Sequence, residues 1–162
     1  MKSLIKYVDQ SIKWLLILLL IIMVLDVTWQ VFTRFILRDP SSFTEELATF
    51  LLIWIGLLGS TYALREKAHL GIDVLTTRFS GKRKHWSEIF IYSVVIIFAV
   101  SVLIWGGLRL VNITLYLNQI SAALRIKMGY VYLVLPITGI LLIIYSLGFI
   151  TESLNQLKEI SK

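Results

Sequence analysis

Four long apolar blocks constrain this chain more than any other feature. They cover about residues 14–35, 45–64, 88–109 and 128–150. A helix needs about 20 mainly apolar residues to cross a bilayer, and each block meets that length. The third is the cleanest, with no charged residue from Ile89 to Leu108. Hydrophobic residues make up 57% of the 162, and mean hydropathy is +0.82. A soluble domain of this size could not bury such blocks. Within lipid every backbone polar group needs an internal partner, so the blocks must be helices. The fold class is therefore an all-α membrane protein, one transmembrane domain over residues 1–162 with four transmembrane helices.

The cations set the expected orientation. Eleven of the 16 Lys and Arg lie in the N-terminal tail, in the connection between the second and third spans, and in the C-terminal tail. Arg34, Arg38, Arg109, Arg125 and Lys127 lie on the opposite side. The positive-inside rule places both termini in the cytoplasm, an N-in/C-in topology. It also accounts for the net charge of +6 without a nucleic-acid partner; membrane lipids are the expected neighbours. Trp14, Trp86, Tyr130 and Tyr132 fall near span ends, where amphipathic aromatics favour the headgroup layer. No A-x-A-like cleavage site follows the first apolar block, so that block is expected to be a retained helix.

Polar residues inside or beside the spans are the candidate interface positions. Asp26 lies 12 residues after Trp14, about 18 Å along a helix and near mid-membrane. A charge there is costly, so the residue must be neutral, paired, or facing protein or water. It is either a buried acid that bonds another helix or a proton- or sodium-coupling residue. Asp26, Gln30 and Arg34 share one helical face at i, i+4 and i+8. Arg34 is expected to pair with Glu45 or Glu46 across the short first connection, clamping the hairpin. Gly56, Gly59 and Ser60 in the second span, and Gly106 and Gly107 in the third, allow close helix approach, within this chain or against another subunit. Pro136 predicts a kink in the fourth span.

In the cytoplasmic connection Arg65, His69 and Asp73 repeat the i, i+4, i+8 spacing, followed by Arg78 and by basic residues Lys82 to Lys84. Leu70, Ile72, Val74, Leu75 and Phe79 intervene, which predicts an amphipathic surface helix between the second and third spans. The chain has no cysteine and only two histidines, His69 and His85, both in this connection. That argues against thiol chemistry and against axial haem ligands within the spans. No glycine-rich phosphate loop or H-E-x-x-H pattern occurs. The chain reads as a non-enzyme without cofactor, metal site or complete substrate site. A free-standing small proton-coupled exporter centred on Asp26 is the alternative function.

Three stretches then bear a resemblance. WQVFTRFILR (Trp29 to Arg38), FTEELATFLLIWIGLL (Phe43 to Leu58) and GSTYALREKAHLGIDVLTTRF (Gly59 to Phe79) resemble the small, DctQ-like membrane subunit of tripartite ATP-independent periplasmic (TRAP) transporters. Matching positions include Gln30, Arg34, Glu45, Glu46, Trp54, Arg65, His69, Asp73 and Arg78. YVYLVLPITGILLIIY, from Tyr130 to Tyr145, resembles that family's last helix. Two positions depart: Phe43 stands where the family often has Trp, and Ala122 to Arg125 replace a Pro-Gly stretch. The resemblance implies a subunit of a bacterial cytoplasmic (inner) membrane importer. It would stabilise a large membrane transport subunit as a 1:1 heterodimer, with a periplasmic solute-binding protein delivering an organic acid. A sodium gradient would drive the transport, and the solute would be of the C4-dicarboxylate or sialic acid type. The polar positions would then serve structure and interfaces.

Overall fold

The computed structural model describes residues 2–39, 41–66 and 82–160. The expected surface helix, with His69, Asp73 and Arg78, lies outside the described residues. Helix α1 spans Lys2–Phe32 and widens into a π turn at Thr33–Leu37. Helix α2 spans Ser42–Arg65. Helix α3, Lys82–Phe98, passes through a π-helical stretch, Ala99–Gly106, into α4, Gly107–Tyr116. Helices α5, Met128–Tyr132, and α6, Val134–Ile160, complete the order. Four helical stretches are long and apolar enough to cross a membrane: Tyr7–Leu37, Ser42–Arg65, Arg83–Tyr116 and Met128–Lys158. The described residues contain no strand, only one bridge between Ile120 and Lys127.

Two compact units divide the chain: Met1–Tyr62 with Leu110–Val134, and Ala63–Arg109 with Leu135–Lys162. In the first, α1 buries one stripe. Ile12, Leu16, Asp26 and Thr33 are buried, with Leu19, Met23 and Gln30 half-buried between them. The alternating steps of four and three make a heptad seam of a and d positions. The rest of α1 is exposed apolar surface, including Leu18, Ile21, Val24 and Leu25. In α2, Thr44, Leu51 and Leu58 recur every seven residues on a buried line.

In the second unit the third and fourth spans meet where side chains are missing. A Cβ on Gly139 would lie 2.8 Å from Ile104 Cγ1 and 3.2 Å from the Ala99 carbonyl. One on Gly107 would lie 2.8 Å from Leu135 Cβ. Tyr92 and Phe149 stack with ring centroids 5.0 Å apart. Ala99, Leu103 and Gly107 are all buried, four residues apart. In an α-helix each step of four drifts about 40° around the axis. The wider π turn takes up that drift and keeps the line on one face.

Pro136 acts earlier than its own position. It sits in the first turn of α6, where a missing N–H costs nothing. Continuing α5 into α6 as one helix would press its ring against the Tyr132 carbonyl. The helix instead breaks at Leu133, whose N–H donates to Tyr130 O at 3.4 Å.

Candidate functional site

The most developed polar arrangement joins α2 to the α4–α5 hairpin. Its loop is built first from local backbone. Asn118 and Arg125 adopt left-handed conformations, with φ of 49° and 55°. Asparagine tolerates this region; arginine seldom occupies it. Ser121 N–H donates to Ile126 O, and Met128 N–H to Gln119 O, both at 2.9 Å. Ile126 N–H donates to Ser121 Oγ at 3.2 Å. These bonds leave the N–H groups of Ala122, Ala123 and Leu124 pointing together, and a run of amides of that kind is an anion cradle.

Glu46 fills the cradle. Ala122 N–H donates to Glu46 Oε1 at 3.2 Å; Ala123 and Leu124 N–H donate to Oε2 at 2.8 and 2.7 Å. Bonds from amides to an ionised carboxylate are stronger than neutral ones. Two helical turns on, Trp54 Nε1 donates to Val131 O at 3.0 Å. Residues eight apart share one side of α2, so the helix is tied at two heights. Both carboxylate oxygens of Glu46 are engaged, which makes it a tether and removes it as a ligand for a solute.

The expected pairing of Arg34 is thereby corrected. Arg34 is exposed and forms no ion pair with Glu45 or Glu46. Glu46 turns to the backbone cradle instead, which offers three fixed donors at no cost in side-chain freedom of a long arginine. Glu45 is exposed, and its backbone carbonyl accepts from Thr49 Oγ1. Asp26 is buried, 8% exposed, and its Oδ2 has no hydrogen-bond partner among the described residues. Gln30 lies half-buried on the same stripe, while Arg34 leaves it. Arg65 is half-buried at the end of α2.

A second polar contact, in the other unit, had no sequence signal beyond the acid that bounds the uncharged third span. Ser153 Oγ donates to Glu88 Oε2 at 2.8 Å, and His85 Nδ1 lies 3.3 Å from the same oxygen. Ser121 carries no sequence signal either, and Trp54 is marked only as a position that matches the family. A tryptophan in an apolar run looks like packing, and a loop serine looks like solvent. Among the described residues, no cluster of three or more histidine, aspartate or glutamate side chains comes together to hold a metal ion.

Residues 14–156 match the family model described as tripartite ATP-independent periplasmic transporters, DctQ component. The chain is 25% identical over 134 residues to the sialic acid TRAP transporter small permease protein SiaQ of Vibrio cholerae, covering 83% of this chain and 76% of that one. It is 28% identical over 137 residues to the sialic acid TRAP transporter permease protein SiaT of Haemophilus influenzae, covering 85% of this chain but 22% of that one. It is 32% identical over 95 residues to the isethionate TRAP transporter permease protein DctMQ of Oleidesulfovibrio alaskensis, covering 59% of this chain and 15% of that one. The chain thus spans about a fifth of SiaT and three quarters of SiaQ. These relatives lend nothing to an exporter centred on Asp26, and their family is a transporter component, with no enzyme activity. A four-span helical chain that matches this model from Trp14 to its last helix belongs to the DctQ component family of tripartite ATP-independent periplasmic transporters.

Proposed function

We propose that this chain is the small permease subunit of a sodium-driven, binding-protein-dependent importer of organic acids, and that it braces the large transport subunit. One observation carries the bracing role. The side chains of Glu46, Trp54 and Glu88 are turned onto the chain's own backbone and side chains. Meanwhile α1 leaves most of its apolar surface open: 11% of its most apolar stretch is buried, against 44% in the fourth span. A subunit that moved cargo itself would need polar groups converging on an open site. A brace needs a stiff interior and a broad apolar flank.

The chain acts as a single membrane domain in the bacterial inner membrane with both termini cytoplasmic, as its cation distribution supports. Asp26, Gln30 and the segment holding Arg65, His69, Asp73 and Arg78 serve packing and interfaces. A 1:1 heterodimer fits the longer relatives. A polypeptide that joins a stretch like this chain to a several-fold longer permease has one copy of each. The solute is an organic acid of the sialic acid or C4-dicarboxylate type, delivered by a periplasmic binding protein.

Reconstitution tests this directly. Vesicles holding the large subunit, this chain and the binding protein should take up solute on a sodium gradient. Omitting this chain should lower uptake and the thermal stability of the large subunit together. Uptake by this chain alone would overturn the proposal.

A further inference from the structure

We infer that the α4–α5 hairpin is a preformed binding surface for anionic phospholipid headgroups. Charge is the first argument. Between Glu88 and Glu152 the chain carries three cations and no acid, and two of the cations, Arg125 and Lys127, are exposed on this hairpin. Neither belongs to an ion pair among the described residues. The carboxylate of Glu46, which touches the loop, is bonded to backbone amides and makes no ion pair with either cation.

Depth is the second argument. Met128 to Thr151 is a run of 24 uncharged residues, inside a stretch long and apolar enough to cross a membrane. The hydrocarbon core is about 30 Å thick. Lys127, next before the run, therefore stands at the end of the apolar stretch, where the headgroup layer begins. The exposed apolar side chains of the same hairpin fit that boundary. Tyr116 is 87% exposed, and Leu117, Ile120 and Ile126 are 58%, 57% and 41% exposed. Aliphatic and aromatic groups beside cations suit a layer that is apolar below and anionic above. An acidic soluble protein would meet the cations but would have to reach these apolar groups inside the headgroup layer.

Rigidity is the third argument and gives the test its sign. The cations are presented by a loop fixed by its left-handed turns, its cross-bonds and the Glu46 tether. If attraction followed net charge alone, Glu46→Gln would strengthen it, because the chain becomes more positive. If the loop's shape matters, the same change weakens it.

The experiment uses the full chain in nanodiscs containing a minority of photoactivatable phosphatidylglycerol or photoactivatable phosphatidylcholine, with adducts mapped by peptide mass spectrometry. Labelling of residues 116–127 should be at least about fivefold greater with the anionic probe at low salt. Arg125→Gln together with Lys127→Gln, both exposed, should bring that ratio near one with helix content unchanged. Glu46→Gln should lower the ratio despite the added positive charge. A wild-type ratio near one, a ratio raised by Glu46→Gln, or labelling blocked only by an acidic soluble protein would each overturn the inference. It requires only that the helices span a bilayer, so its failure would leave the bracing role in place.

Discussion

Glu46 reaches the α4–α5 hairpin through a carboxylate and three amides, whereas Gly139 meets the third span through the lack of a side chain. Both contacts hold helical elements together, yet they fail in opposite ways. The Glu46 tie is directional and partly wet, and it is sensitive to removal of a group. The Gly139 contact is dispersive and close, and it is sensitive to addition of one. In lipid there is no hydrophobic drive between helices, so close packing and interhelical hydrogen bonds must carry association. In this chain the third and fourth spans add close packing at Gly139 and Gly107 to their Ser153–Glu88 bond, whereas α2 is held through the hydrogen bonds of Glu46 and Trp54.

The largest effect should come from adding a methyl group where helices touch. Gly139→Ala places Cβ 2.8 Å from Ile104 and 3.2 Å from the Ala99 carbonyl, and that backbone atom cannot swing aside. Overpacking of this kind costs about 1–3 kcal/mol. Thermal unfolding of the purified chain in mild detergent should show the loss, and an unchanged midpoint would break the contrast. Glu46→Ala comes next. It should lower the midpoint by less than Gly139→Ala and speed hydrogen exchange at the amides of Ala122, Ala123 and Leu124. Exchange there that stays at the wild-type rate would mean the cradle closes without its acid. Smaller still, Trp54→Phe keeps the ring and loses the donor to Val131 O. Interhelical hydrogen bonds in membranes average about 0.6 kcal/mol, with about 1.7 at most, and the unfolding free energy should fall within that range.

The spans were legible because length and apolarity over about 20 residues leave a chain few alternatives. The buried stripe of α1 was legible in part: Asp26 and Gln30 keep to it, but Arg34 leaves it for the surface. The error over Glu46 has a specific cause. Its cradle lies in a loop that is flanked by left-handed backbone at Asn118 and Arg125. A sequence of ALR and NQ gives no sign of that. Gly107 was singled out and does mark a close approach, but Gly139, the tighter contact with backbone, was not. Glycine spacing marks where helices could approach, and only the partner helix decides where they do.

That last point gives the smallest prediction and the most discriminating one. A Cβ on Gly56 would find nothing within 4 Å, so this glycine, unlike Gly139, makes no close approach among the described residues. Gly56→Ala should leave the isolated subunit's stability unchanged or raise it by up to about 1 kcal/mol, since alanine favours a helix over glycine. A loss in the isolated chain would mean the open face is closed in the membrane, against the structure described. If the isolated chain is unaffected while its co-purification with the large permease subunit falls, the open face of α2 is where another helix docks. The same substitution would then be harmless at one level of assembly and disruptive at the next. Gly139 cannot separate those levels, because its contact is already made within the chain.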